Sequence, residues 1–143
     1  RTAMNKKINH LKFNELPVYE RGRGIKNHLI ASKQIGANSL HSGITFMPPM
    51  TSVPAHSHNA EEQVTVLEGT LRIVLNGGSK ELICNKYDSS YLSSDVQHQL
   101  FNDTDEQLVV MVIYGSSDVN RTFSQTGEVV IIGSEEDQFT ANK

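Results

Sequence analysis

A single cysteine, Cys84, leaves the chain without any internal disulfide, so a reducing, cytoplasmic setting is the expectation. Cys84 ends an apolar Leu82-Ile83-Cys84 run and reads as a small buried hydrophobe. No run approaches the roughly 18 consecutive apolar residues that a membrane-spanning helix needs. Net charge is also scarce, at −3, which gives neither nucleic acid nor an anionic membrane an electrostatic reason to bind. Apolar periodicity of 3.6 residues never persists for three turns, so the helix-turn-helix of a transcription regulator is not expected. Internal repeats and low-complexity linkers are missing as well. Met4 is expected to mark the native start behind Arg1-Thr2-Ala3, and the stretch after it has charge but no apolar segment, a poor signal peptide.

What remains is one domain's worth of chain, 143 residues with 37% hydrophobic content, long enough to bury a proper core. Residues 1–24 are polar, end in Arg21-Gly22-Arg23-Gly24, and are expected to form an arm or short edge element. Short β-like runs follow. From Ser39 to Met47, Leu40, Ile44 and Phe46 share one face, while His41, Thr45 and Met47 share the other. Pro48-Pro49 and Pro54 then enforce an extended approach to His56. Glu62–Glu68 and Thr70–Leu75 read as strands, and Asn76-Gly77-Gly78 as a hairpin turn into Lys80–Cys84. Segments near Asp88–Leu92 and Val96–Asn102 come next, and then the apolar run Leu108–Tyr114 and the pairs within Val129–Ile132. Many short strands at close spacing predict an all-β sandwich or barrel.

The chemistry concentrates at His56-Ser57-His58. Alternate residues of a strand point the same way, about 6 to 7 Å apart, so both imidazoles can reach one ion. Glu62 cannot join them along a straight strand, because four extended residues would carry it about 13 Å away. The chain must therefore bend, and Asn59-Ala60 is where the bend is expected. Glu61 is the alternative carboxylate. Parity favours Glu62, which shares a face with Val64 and Val66 while Gln63, Thr65 and Leu67 face out. His98 lies in a later β-like stretch and completes two imidazoles, a carboxylate and a third imidazole, a usual donor set for a divalent transition metal. A lone histidine on a strand is ordinarily a core or surface residue, and His10, His28 and His41 are read that way. Asn102 is read as a turn former.

The row His56, His58, Glu62, Gly69, spaced His-x-His-x3-Glu-x6-Gly, resembles the first motif of the cupin superfamily. The second motif, Gly-x5-Pro-x-Gly-x2-His-x3-Asn, is kept at His98 and Asn102, with Tyr87, Ser93 and Asp95 in the Gly, Pro and Gly positions. The resemblance covers residues from about 40 to 114, leaving 115–143 as a C-terminal extension, and implies a small antiparallel jelly-roll β-barrel of six to eight strands. It also implies one divalent transition metal ion (Fe, Mn, Ni, Zn or Cu in relatives) on His56, His58, Glu62 and His98. Pairing into a homodimer through edge strands is a further implication.

Three neutral imidazoles and one carboxylate leave open positions on a five- or six-coordinate ion for a small-molecule ligand. Phe46, Val64, Val66 and Met111 are the expected pocket wall. No Arg or Lys occupies an obvious inward strand position, since Arg72 is as readily exposed as inside, which points to an apolar or neutral oxygen-bearing ligand. A metal-dependent enzyme with dioxygenase-type chemistry is the leading expectation. The alternatives are a metal-dependent isomerase or decarboxylase, and a non-catalytic metal- or ligand-binding protein.

Overall fold

The computed structural model describes residues 7–140, so the expected start at Met4 lies outside the described residues. Among them are thirteen strands in two antiparallel sheets. One sheet contains β1 (Val18–Glu20), β2 (Lys26–Leu29), β3 (His41–Met47), β6 (Glu62–Glu68), β9 (Ser89–Leu92) and β11 (Leu108–Tyr114), ordered β1-β2-β3-β11-β6-β9. The other contains β5 (His56–His58), β7 (Leu71–Leu75), β8 (Lys80–Cys84), β10 (His98–Asn102), β12 (Asn120–Phe123) and β13 (Val129–Ile131), ordered β13-β12-β5-β10-β7-β8. The short strand β4 (Thr51–Ser52) pairs with β10. The architecture is the all-β jelly roll, built as two facing sheets. No ladder joins them among the described residues, so the barrel is not closed by hydrogen bonds.

The segment read as an arm supplies β1, the edge of the first sheet, and the C-terminal extension supplies β12 and β13 of the second. Both ends are tied together: Phe139 N–H donates to Arg21 O, and Phe139 is buried at 6.5 Å from Phe123 between ring centroids.

Period-two alternation explains the core. Glu62, Val64 and Val66 of β6 are buried, whereas Gln63, Thr65 and Leu67 are not. Val64 and Val66 join Ile73, Leu100, Leu108 and Val110 in the core between the sheets. Asn102 is buried and makes the turn it was expected to make. Its amide donates to the carbonyls of Met47, Pro48 and Glu106, and its oxygen accepts from Thr104 N–H.

Motif positions that lost glycine kept the backbone glycine allows. Tyr87 and Asp95 have φ of 72° and 68°, a left-handed conformation that costs an L residue about 1–2 kcal/mol. Each is held by a bond to a ligand-bearing part of the fold: Tyr87 N–H to Val66 O at 2.7 Å, and Asp95 N–H to His58 O at 2.8 Å. Gly69, the last position of the first motif, has φ of 87°, and a Cβ there would lie 2.8 Å from Gln107 O. Gly69→Ala is expected to lower stability by about 2 kcal/mol or more, from the left-handed backbone together with that clash. A urea midpoint unchanged from wild type would contradict this account.

Candidate metal centre

The bend anticipated after His58 is the place where the chain leaves one sheet for the other. β5 ends at His58, β6 begins at Glu62, and Asn59–Glu61 turn the corner between them. Asn59 pins that corner to the β12 approach, donating to Asp118 O at 3.0 Å and accepting from Asn120 N–H at 2.7 Å. The crossing brings Glu62 back over the histidines, a meeting that a straight strand forbids.

Strand register supplies the rest. His98 is the ladder partner of His56, and His58 that of Arg121. On the facing sheet, Glu62 sits beside Tyr114, which sits beside His41. His56, His58, Glu62 and His98 are all buried. The three imidazoles each offer one ring nitrogen, and these nitrogens lie within 4.8 Å of one another. Glu62 Oε1 is 3.2 Å from His98 Nε2 and 3.7 Å from His58 Nε2. Glu61 is exposed and accepts from the Tyr91 hydroxyl at 2.9 Å, on the outer side.

Each imidazole is oriented the same way. Nδ1 of His56 faces Pro54 O at 2.7 Å, Nδ1 of His58 faces Asn120 O at 2.9 Å, and Nδ1 of His98 faces Val96 O at 2.9 Å. A carbonyl oxygen only accepts, so the proton of each neutral ring is on Nδ1 and the lone pair is on Nε2. This is the arrangement a metal-ligating histidine adopts. Glu62 Oε1 and His98 Nε2 are both buried without a hydrogen-bond partner, although they face each other. Two buried lone pairs facing each other are what a bound cation would satisfy, and the nitrogens of His56, His58 and His98 beside them could hold a metal ion.

Burial lowers the His56 pKa well below its ordinary value, helped by the neighbouring His98 and Arg121. Burial also takes His58 down to about 4, against the pull of Glu62, so both rings are neutral near pH 7. For Glu62, burial alone would raise the pKa. The surrounding His58 and His98 outweigh it and hold the carboxyl at about 2, ionised. At neutral pH His56 and His58 therefore offer imidazole lone pairs and Glu62 a carboxylate, the protonation states that metal binding requires.

A cavity of about 350 Å³ opens beside these groups, lined among others by Arg21, His41, Glu62, Val112, Tyr114 and Arg121. The expected wall is corrected here, because Phe46, Val64, Val66 and Met111 do not line it. Val64 and Val66 point inward but are consumed by core packing. Phe46 and Met111 have the wrong parity: the odd-numbered residues of β3 and the even-numbered residues of β11 face inward, so Thr45, Val112 and Tyr114 reach the cavity instead. Phe46 packs outside, with Phe13 and His28.

The expectation that no basic side chain points inward is also overturned. Arg21 and Arg121 are both buried and both line the cavity. The signal for Arg121 was present in Val119-x-Arg121-x-Phe123, since the two apolar neighbours at period two are buried and place the arginine on their face. Arg21 carried no such pattern. It follows a three-residue strand and is drawn inward by its bonds to Asn27 Oδ1, Ser134 O and Asp137 O.

His41 and Tyr114 complete the cavity wall. The Tyr114 hydroxyl is 3.3 Å from His58 Nε2, and the His41 and Tyr114 rings are 5.7 Å apart. Burial, with Glu62 close by, keeps the Tyr114 pKa well above 10, so the phenol is a donor at neutral pH. Burial and Arg121 lower the His41 pKa, leaving it a neutral imidazole.

Solved structures with the same fold carry varied names, among them a cyclase, an isomerase, a dioxygenase and a vicilin. The polyketide cyclase RemF from Streptomyces resistomycificus superposes with a TM-score of 0.70 at 16% identity, over 93% of this chain and 91% of that one. A sugar phosphate isomerase of the cupin superfamily from Silicibacter pomeroyi gives 0.68 at 16% identity, over 94% and 99%. Salicylate 1,2-dioxygenase from Pseudoaminobacter salicylatoxidans gives 0.58 at 16%, over 67% of this chain and 27% of that one. Curated protein sequences yield no match. The family profile described as the Cupin domain matches residues 43–114, a segment that holds His56, His58, Glu62, Gly69, His98 and Asn102 together, and the chain belongs to that family.

Proposed function

We propose that this cupin is a metal-dependent enzyme acting on a small oxygen-bearing metabolite, with a divalent ion (Fe, Mn, Ni or Zn) on His56, His58, Glu62 and His98. The observation that carries the reading is the common orientation of the three histidines. Every Nδ1 is committed to a backbone carbonyl, and the unpartnered Glu62 Oε1 faces a freed Nε2. A bound ion supplies Lewis-acid polarisation of a chelated oxygen or, if redox-active, activation of O₂.

The side chains around it favour proton-transfer chemistry of the isomerase or decarboxylase kind over the dioxygenase expectation. Tyr114 is a protonated phenol that can donate to a developing oxyanion, and His41 is a neutral imidazole that can accept a proton. They stand side by side in one strand row. Dioxygenase chemistry remains the second reading, supported by the three-histidine, one-carboxylate donor set. The protein is further expected to act as a homodimer, with Val129 and Ile131 exposed on the edge strand β13 as the pairing surface. The buried lone thiol favours a cytoplasmic setting.

The test loads metal-free protein with Fe(II), Mn(II), Ni(II) or Zn(II). It then follows, by NMR in D₂O, exchange of the proton next to the carbonyl in hydroxyketones and keto acids, with O₂ uptake measured in parallel. Exchange that is lost in Tyr114→Phe and His41→Gln supports proton transfer. O₂ consumption without exchange supports the dioxygenase, and stoichiometric metal with neither signal overturns the enzymatic reading.

A further inference from the structure

Resting on the reading above, we infer that Arg121 is the specificity-determining residue of this cavity and that the substrate is a small carboxylate. Its charged end would be taken by the guanidinium and its other oxygen presented to the four-ligand centre. Arg121 projects from β12 directly opposite His58, on the same face of the sheet, and it lines one chamber with the donors His56 and Glu62. It is 5% exposed, and Asp137 Oδ1 accepts from its Nε at 2.7 Å. That single bond holds the edge of the guanidinium. The plane is backed by Phe139, with Cζ 4.8 Å from the ring centroid. The two Nη groups are left for the cavity, a planar fork that matches the two oxygens of a carboxylate.

The charge balance around it asks for an anion. Arg21 is buried in the same wall and spends its bonds on Asn27 and on the carbonyls of Ser134 and Asp137. Asp137, the carboxylate bonded to Arg121, is also engaged by Gly133 N–H. At the mouth, Lys33 and Asp118 pair with each other and contribute no net charge. Glu62 is the remaining carboxylate of the lining and belongs to the metal donors, and His41 is neutral. Two buried guanidiniums together with a divalent ion on the donor set outweigh the two buried carboxylates, Asp137 and Glu62, and leave an excess positive charge around a chamber of about 350 Å³, which suits a compact anion of few heavy atoms. A phosphate would present three oxygens and a second charge to a fork with two free donors, so the carboxylate is the better fit.

The experiment is calorimetric titration of the zinc-loaded and metal-free protein with lactate, pyruvate and malate, with lactamide and pyruvamide as neutral counterparts and inorganic phosphate as a third arm. Zinc content is read on the same samples. Acids are expected to bind about ten- to hundredfold more tightly than their amides, the range of a charge-assisted bond. That preference should vanish in Arg121→Gln/Asp137→Asn, which removes the pair together, with zinc content unchanged. Arg121→Lys, which keeps a charge against Asp137 but loses the fork, should weaken acid binding about tenfold and guards against misfolding in the double variant. Amides binding as well as acids, a preference that survives in the double variant, or phosphate outcompeting every carboxylate would overturn the inference. An Arg121-dependent acid preference in protein that takes up no zinc would instead sink the metal-dependent function and leave the carboxylate site standing. Zinc uptake without the preference does the reverse.

Discussion

Metal content should fall from about one ion per chain to near zero in His58→Ala and His98→Ala, and stay at the wild-type level in His41→Ala. The prediction separates two buried histidines of the donor set from a half-buried one in the cavity wall. His58 and His98 direct Nε2 at Glu62 Oε1, at 3.7 and 3.2 Å, so loss of either removes a donor and leaves the carboxylate facing a void. His41 lies two strands from β6, beyond Tyr114, and belongs to no such cluster. Because metal binds the folded chain and not the unfolded one, saturation at about a hundred times Kd adds roughly 2.7 kcal/mol. For a domain of this size that is a Tm rise on the order of 10 °C. Wild type and His41→Ala should show the rise, and the two ligand variants should not. Elemental analysis and thermal melts with and without added metal decide the matter, and equal metal in all three variants ends the four-ligand description.

Asp137→Ala should be the most destabilising single substitution outside the hydrophobic core, at about 3–5 kcal/mol. Asp137 is fully buried, accepts from Arg121 Nε at 2.7 Å and from Gly133 N–H at 3.0 Å, and has Arg21 bound to its own carbonyl at 3.0 Å. Burial would raise its pKa. Arg121 and the Gly133 amide override that and keep it below the ordinary aspartate value, as befits a carboxylate that must stay charged. Its removal strands two guanidiniums away from water, and the missing counter-charge dominates the cost. Replacing Arg121 and Asp137 together by Met and Leu should cost much less, since no buried charge is orphaned within the pair. Urea denaturation of the single and double variants gives both numbers. A single-variant loss within about 1 kcal/mol would show that water reaches the pair.

The sequence made the first motif readable because its signal is short-ranged. His56, His58 and Glu62 lie within seven residues of one another, and strand parity alone turns Glu62 inward with Val64 and Val66. The impossibility of a straight strand placed the bend at Asn59-Ala60, where the chain changes sheets. The rest of the chamber depends on register across distant strands. Tyr114 meets Glu62 across 52 residues of chain, and His41 meets Tyr114 across 73, pairings that no local pattern encodes. The apolar wall was misplaced for the same reason. Phe46 and Met111 are as hydrophobic as their neighbours, and only the facing sheet decides which parity is inside. Tyr87 and Asp95 mark a different limit, since a left-handed backbone can be held by the bonds around it where composition offers no glycine.

The corner at Asn59–Glu61 has a mechanical meaning as well. Three of the donors ride on one wall of the sandwich and the fourth on the other, and among the described residues no backbone ladder laces the walls together at that rim. An ion seated there would act as a rivet, fixing how far apart the walls stand and so how wide the chamber gapes. Occupancy of the centre and the bore of its entrance would then be set by the same four atoms.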